Sequence, residues 1–138
     1  MHQDNIPSAH IDPSVDLTRS YITHVVRALS EGGVEVERSW LDPQDPRDAT
    51  IVYRPDNDDD HFALVWDEVT GWRRGRFESG EPGVRTVLSA PAYLGGGLLP
   101  EGAELTQRLL TGMSEPRREY RSGTDQDDGL DDALDRFS

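Results

Sequence analysis

The feature that most constrains this chain is one apolar stripe near its start. Leu17, Tyr21, Ile22, Val25, Val26 and Leu29 recur at three- and four-residue steps, while Arg19, Ser20, His24, Arg27 and Glu31 fall largely off that line, which is the pattern of a helix with one face to bury. Asp12-Pro13 offers a cap with proline at the first helical position, and Gly32-Gly33 offers a stop. Residues 1–11 carry no such pattern and read as a loose arm. A helix of this kind needs a second layer, and the sequence supplies one at once.

After the double glycine, Val34, Val36, Arg38 and Trp40 alternate with Glu35, Glu37 and Ser39, the period of a half-buried strand. Pro43 and Pro46 then forbid both ladder and helix. Residues 49–53 form a β-rich second strand, closed by Arg54-Pro55 and the acidic turn Asp56-Asn57-Asp58-Asp59-Asp60. Residues 62–66 form a third, and Asp67-Glu68-Val69-Thr70-Gly71 is a glycine-ended hairpin loop that returns residues 72–77 antiparallel. Residues 78–83 read as a turn, 84–89 as a short fifth strand, and 101–110 as a second helix stopped by Gly112. The expected class is α+β, a two-layer sandwich with an antiparallel sheet of four to five strands and an N-terminal and a C-terminal helix on one face. A single domain over residues 12–113 accounts for it, followed by an acidic tail over 114–138.

That tail is expected to be disordered. Within it, Leu130, Ala133, Leu134 and Phe137 nonetheless fall at helical spacing, so residues 129–137 can form one short amphipathic helix with acids on its other face. Large apolar residues are scarce in disordered acidic segments, so Leu130, Leu134 and Phe137 need an explanation. Coupled folding into a partner's groove is one; docking back on the chain's own sheet is the other.

Composition closes several routes to function. The chain has no cysteine, which removes disulfides, thiolate metal sites and a cysteine nucleophile together. No apolar run approaches a membrane span, and Met1-His2-Gln3-Asp4-Asn5 resembles no signal peptide, so the expected location is cytoplasmic. A net charge of −13 repels phosphate backbones and argues against direct nucleic-acid binding. All 14 basic residues are Arg, which fits the codon bias of a GC-rich genome.

The stretch Trp40-Leu41-Asp42-Pro43-Gln44-Asp45-Pro46-Arg47-Asp48-Ala49-Thr50-Ile51 combines with Leu64-Val65-Trp66-Asp67-Glu68-Val69-Thr70-Gly71-Trp72 and with Tyr93-Leu94-Gly95-Gly96-Gly97. Together they resemble an uncharacterised family of small actinobacterial proteins, of the Streptomyces type, over roughly residues 17 to 112. The resemblance implies an organism group and a domain extent, and no mechanism.

Candidate chemistries find little purchase. Asp56, Asp58, Asp60 and Asp67 occupy positions of a calcium-loop frame, but His61 stands where the frame needs glycine and a strand follows instead of a helix, so no metal is expected. Gly95 to Gly97 precede a helix start, yet match no phosphate-binding spacing, and Glu101 and Glu104 already occupy the first turn. Arg73, Arg74 and Arg76 beside the acidic turn read as surface charges that screen their neighbours. His24 with Asp48 or Glu35 is the only acid–base pairing the helix–sheet interface suggests, and no nucleophile elbow exists. No catalytic residue, metal or cofactor is assigned.

The expected function is a noncatalytic regulatory or adaptor protein that binds a protein partner through Leu130, Leu134 and Phe137. A variant is antagonism of a nucleic-acid-binding protein by an acidic surface. The alternative is a small-ligand binder or enzyme with a pocket formed by Trp40, Trp72 and His24, although Trp66 and Trp72 read more simply as a cross-strand pair in the core.

Overall fold

The computed structural model describes residues 6–42, 47–55, 60–81, 84–120 and 129–137. Within them the chain runs α1 (Pro13–Asp16), α2 (Arg19–Glu31), β1 (Glu35–Asp42), β2 (Asp48–Arg54), β3 (Phe62–Asp67), β4 (Gly71–Glu81), β5 (Val84–Tyr93), α3 (Gly102–Leu110) and α4 (Leu130–Asp135). The strands form a single antiparallel sheet in the order β1-β2-β3-β4-β5, a meander in which every strand pairs with its successor. The α+β architecture inferred from periodicity is the one observed.

The first helix starts where the Asp12-Pro13 signal places it, with Asp12 Oδ1 accepting from the Ser14 amide at 2.9 Å. It is not continuous. Thr18 Oγ1 donates to the Val15 carbonyl at 2.7 Å, and the chain breaks there into α1 and α2 because a threonine hydroxyl competes for the local backbone acceptor.

The helices cover one sheet face. Tyr21, Ile22, Val25, Val26 and Leu29 of α2, with Leu105 of α3 and Leu130 and Leu134 of α4, bury against Ile51, Tyr53, Leu64, Trp66 and Trp72. Trp66 and Trp72 are direct partners across β3 and β4. On the reverse face Trp40, Val52 and Ala63 form a second apolar cluster, joined by Phe77 and Leu88.

The strict alternation expected for the first strand does not hold. Val36 pairs with Tyr53 and Arg38 with Val52, leaving Glu37 as an extra residue. This bulge carries Val36 to the helix side and Trp40 to the reverse side. Glu37 then holds His61 at 2.6 Å and Arg54 at 3.2 Å.

Segments expected to be a turn and a short strand are longer than their patterns suggested. Pairing with β3 stops at Arg76, but β4 and β5 continue together to Glu81 and Val84 through three register shifts. The free end of this hairpin bends over the reverse face. Thr86 on β5 meets Thr50 on β2, their hydroxyl oxygens 2.6 Å apart, with two strands between them in sheet order. Gly75 permits the bend, since a Cβ there would lie 3.0 Å from Leu88 Cβ and from the Ser89 carbonyl.

Candidate functional site

The tail segment lies on the domain itself. Leu130 and Leu134 are buried in the helix-side core. Phe137 meets the Tyr21 ring edge-on, with centroids 4.8 Å apart, and tilts against His24 at 5.0 Å. Asp131 accepts from Arg47 Nη2 at 2.8 Å. The same guanidinium contacts Glu68 at 2.9 Å and the Ser14 carbonyl at 2.8 Å, so one arginine ties α4 to α1 and to the β3–β4 loop. Burial opposes the charge on Arg47, but Glu68 and Asp131 raise its pKa overall.

Beside Phe137 runs a half-open groove of about 500 Å³ along the outer face of α2, lined by Ile6, Arg19, Thr23, His24 and Arg27 among others. Arg19 is held by Asp16 at 2.8 Å. His24 Nε2 accepts the Gly102 amide at 3.0 Å and lies 3.3 Å from the Glu101 carboxylate, so this face of the imidazole serves the start of α3.

Trp40, Trp72 and His24 do not converge on a pocket. Trp72 is in the core, where Nε1 donates to the Tyr21 hydroxyl at 3.1 Å, and Tyr21 in turn donates to the Pro100 carbonyl at 2.7 Å. Trp66 Nε1 donates to the Leu98 carbonyl at 2.8 Å. These bonds satisfy the indoles and the phenol internally, and burial raises the Tyr21 pKa. Trp40 sits across the sheet on the reverse face, and His24 rides on α2.

The loop around Gly95 to Gly97 is filled by its own neighbours at Gly95 and Gly96, while the space beside Gly97 is open. Arg108 Nη1 donates to the Leu94 carbonyl at 3.0 Å and to Glu115 at 3.1 Å. The Glu115 carboxylate presses on Gly95 where any side chain would stand.

Of the calcium-frame residues, Asp56 and Asp58 lie outside the described residues. Asp60 pairs with Arg76. Asp67 caps the hairpin loop, accepting from the Val69 amide at 2.8 Å, the Thr70 amide at 2.6 Å and Arg73 at 3.0 Å. Among the described residues no group of three or more His, Asp or Glu could hold a metal ion.

The arginine run is not simply a surface patch. Arg73 pairs with buried Asp67 on the reverse side, Arg74 Nε is buried without a hydrogen-bond partner, and Arg76 lies over the Phe62 ring at 5.0 Å.

Sequence reasoning missed the pair Asp42 and Asp48, which face each other across β1 and β2 and are both buried. Asp48 is thereby on the sheet face away from α2, so it cannot serve His24. The available signal was their position on either side of the two-proline loop, where strand ends place them opposite each other.

Among the described residues no helix is long and apolar enough to cross a membrane. Residues 21–111 match a family described as a family of unknown function, DUF6292. No curated protein and no solved structure matches the chain.

Proposed function

Because the chain belongs to the DUF6292 family, whose function is unknown, we propose its role from geometry: a noncatalytic regulatory or adaptor protein acting through protein–protein contact. The observation that carries this is the seating of α4. A six-residue helix does not hold its form alone in water, so α4 owes its shape to the surface beneath Leu130 and Leu134. An element held this way exchanges between its own domain and any partner with an equivalent groove.

Released, α4 offers Leu130, Leu134 and Phe137 on one side and Asp131, Asp132 and Asp135 on the other. The acids select a partner whose apolar groove has a basic rim. A net charge of −13 extends that preference to proteins that otherwise bind nucleic acid, whose sites an acidic surface can occupy. The filled interior around Tyr21, Trp66 and Trp72 favours this role over the aromatic-pocket alternative. The all-Arg basic composition fits an actinobacterial source.

The test compares three baits in a lysate of the source organism: the full chain, a chain ending after Gly123, and full-length Leu134→Asp. The expected result is one protein retained by the full chain and lost from both variants, which then binds the purified full chain with an affinity that falls as salt rises. Equal retention by all three baits, or none by any, rules the proposal out.

A further inference from the structure

Along the outer face of α2, Arg19, Thr23 and Arg27 stand at four-residue steps, so their side chains form one row. His24 lies on the neighbouring row, and Ile6 and Phe137 arrive from opposite ends of the chain to wall the groove of about 500 Å³. That volume falls in the range of small-ligand sites, about 300–1,000 Å³. Glu31 is the one acid among the described lining residues, against two arginines, in a chain of net charge −13.

The hydrogen-bond donors of this groove are only partly engaged. Asp16 holds Arg19 through Nε at 2.8 Å and Nη2 at 3.5 Å, which leaves the Nη1 hydrogens unused among the described residues. The Arg27 guanidinium has no ion pair or hydrogen bond with any described residue, although Glu31 follows it by one helical turn. His24 accepts the Gly102 amide at Nε2, 3.0 Å away, so its proton sits on Nδ1, where no described residue accepts it. Beside these donors the Phe137 ring, packed on Tyr21 and His24, is an apolar wall. A guanidinium fork pairs with the oxygens of a carboxylate, sulfonate or phosphate.

We propose that this groove binds a small organic anion, its flat apolar body against Ile6 and Phe137 and its acidic oxygens held by Arg27, His24 Nδ1 and the Thr23 hydroxyl. Because Phe137 ends the α4 segment, a ligand resting on it binds the docked form of that segment better than the released one, and so fastens α4 to the domain. A protein that takes α4 then competes with the ligand. Only this competition rests on the docking role proposed above.

The experiment uses the full chain and two fluorescent probes of nearly the same shape: anilinonaphthalene sulfonate, an anion, and phenylnaphthylamine, which lacks the sulfonate. The expected result is saturable binding of the sulfonate, with amide shifts confined to Ile6, α2 and residues 130–137, and slower amide exchange across 130–137 at saturation. The neutral probe should bind more weakly by about fivefold or more, and Arg27→Gln should weaken the sulfonate by a similar factor while leaving the neutral probe unchanged. Arg27 is exposed, so this variant keeps the fold. Equal affinities for the two probes, an unchanged sulfonate affinity in Arg27→Gln, shifts centred outside the groove, or exchange at 130–137 indifferent to the sulfonate each overturns the proposal. No protein partner enters any of these readouts, so they stand even where the docking role fails.

Discussion

His24 on α2 caps α3, its Nε2 accepting the amide of Gly102 at 3.0 Å. The two helices approach closely enough there that a Cβ on residue 102 would lie 2.5 Å from the Ala28 Cβ. Gly102→Ala therefore destabilises the fold although alanine is the better helix former. Overpacking costs about 1–3 kcal/mol, against a propensity gain of at most about 1 kcal/mol. Urea unfolding of the variant should give a lower midpoint with an unchanged slope.

Tyr21 relays two hydrogen bonds between elements far apart in the chain, accepting from Trp72 and donating to the Pro100 carbonyl. Tyr21→Phe preserves the ring and removes both. The orphaned indole N–H and carbonyl should cost about 1–3 kcal/mol. Thermal unfolding reads that loss, and it should exceed the effect of Tyr→Phe at the half-buried Tyr120.

Thr50 and Thr86 share one buried hydrogen bond on the reverse face. Replacing either by valine strands the other hydroxyl and should cost about 1–3 kcal/mol, whereas replacing both removes the unsatisfied group. A double-mutant cycle should accordingly find the double variant more stable than the sum of the single losses. Strict additivity would mean that the hairpin does not close over β2.

Leu134 is buried on a helix too short to survive its loss. Leu134→Ala removes about 2–5 kcal/mol of packing at a core site, more than a single docked turn can supply, so α4 should undock while the sheet stays folded. Amide exchange should speed up across residues 130–137, and protease should cleave there first, with global unfolding little changed.

The helices and the central hairpin were legible because each announces itself locally. The apolar stripe of α2, the Asp12 cap and the facing Trp66 and Trp72 follow from residue spacing alone. The bulge at Glu37 was not legible, since alternation through Trp40 is as regular in sequence as a bulge-free strand would make it, and the shift is decided by pairing with β2. The length of β4 and β5 was hidden for a related reason: Glu78 to Glu81 carry turn-like residues, and only their partners Val84 and Val87 make them a ladder. At the candidate site, helical spacing singled out Leu130, Leu134 and Phe137 but is silent on what they touch. Asp42 and Asp48 escaped notice because the two prolines between them signal a break without saying that the flanking strand ends pair in register.

The meander has a kinetic consequence. Each strand closes on the one just before it, so sheet assembly needs only short loops and little closure entropy. The long closures are different in kind: Tyr21 to Pro100 spans 79 residues and Arg47 to Asp131 spans 84. During synthesis, residues 19–110 can reach their final arrangement before α4 leaves the ribosome. For that interval the face of Tyr21 and His24 stands uncovered, and whatever binds there competes with nothing; once α4 arrives, the same ligand must displace it.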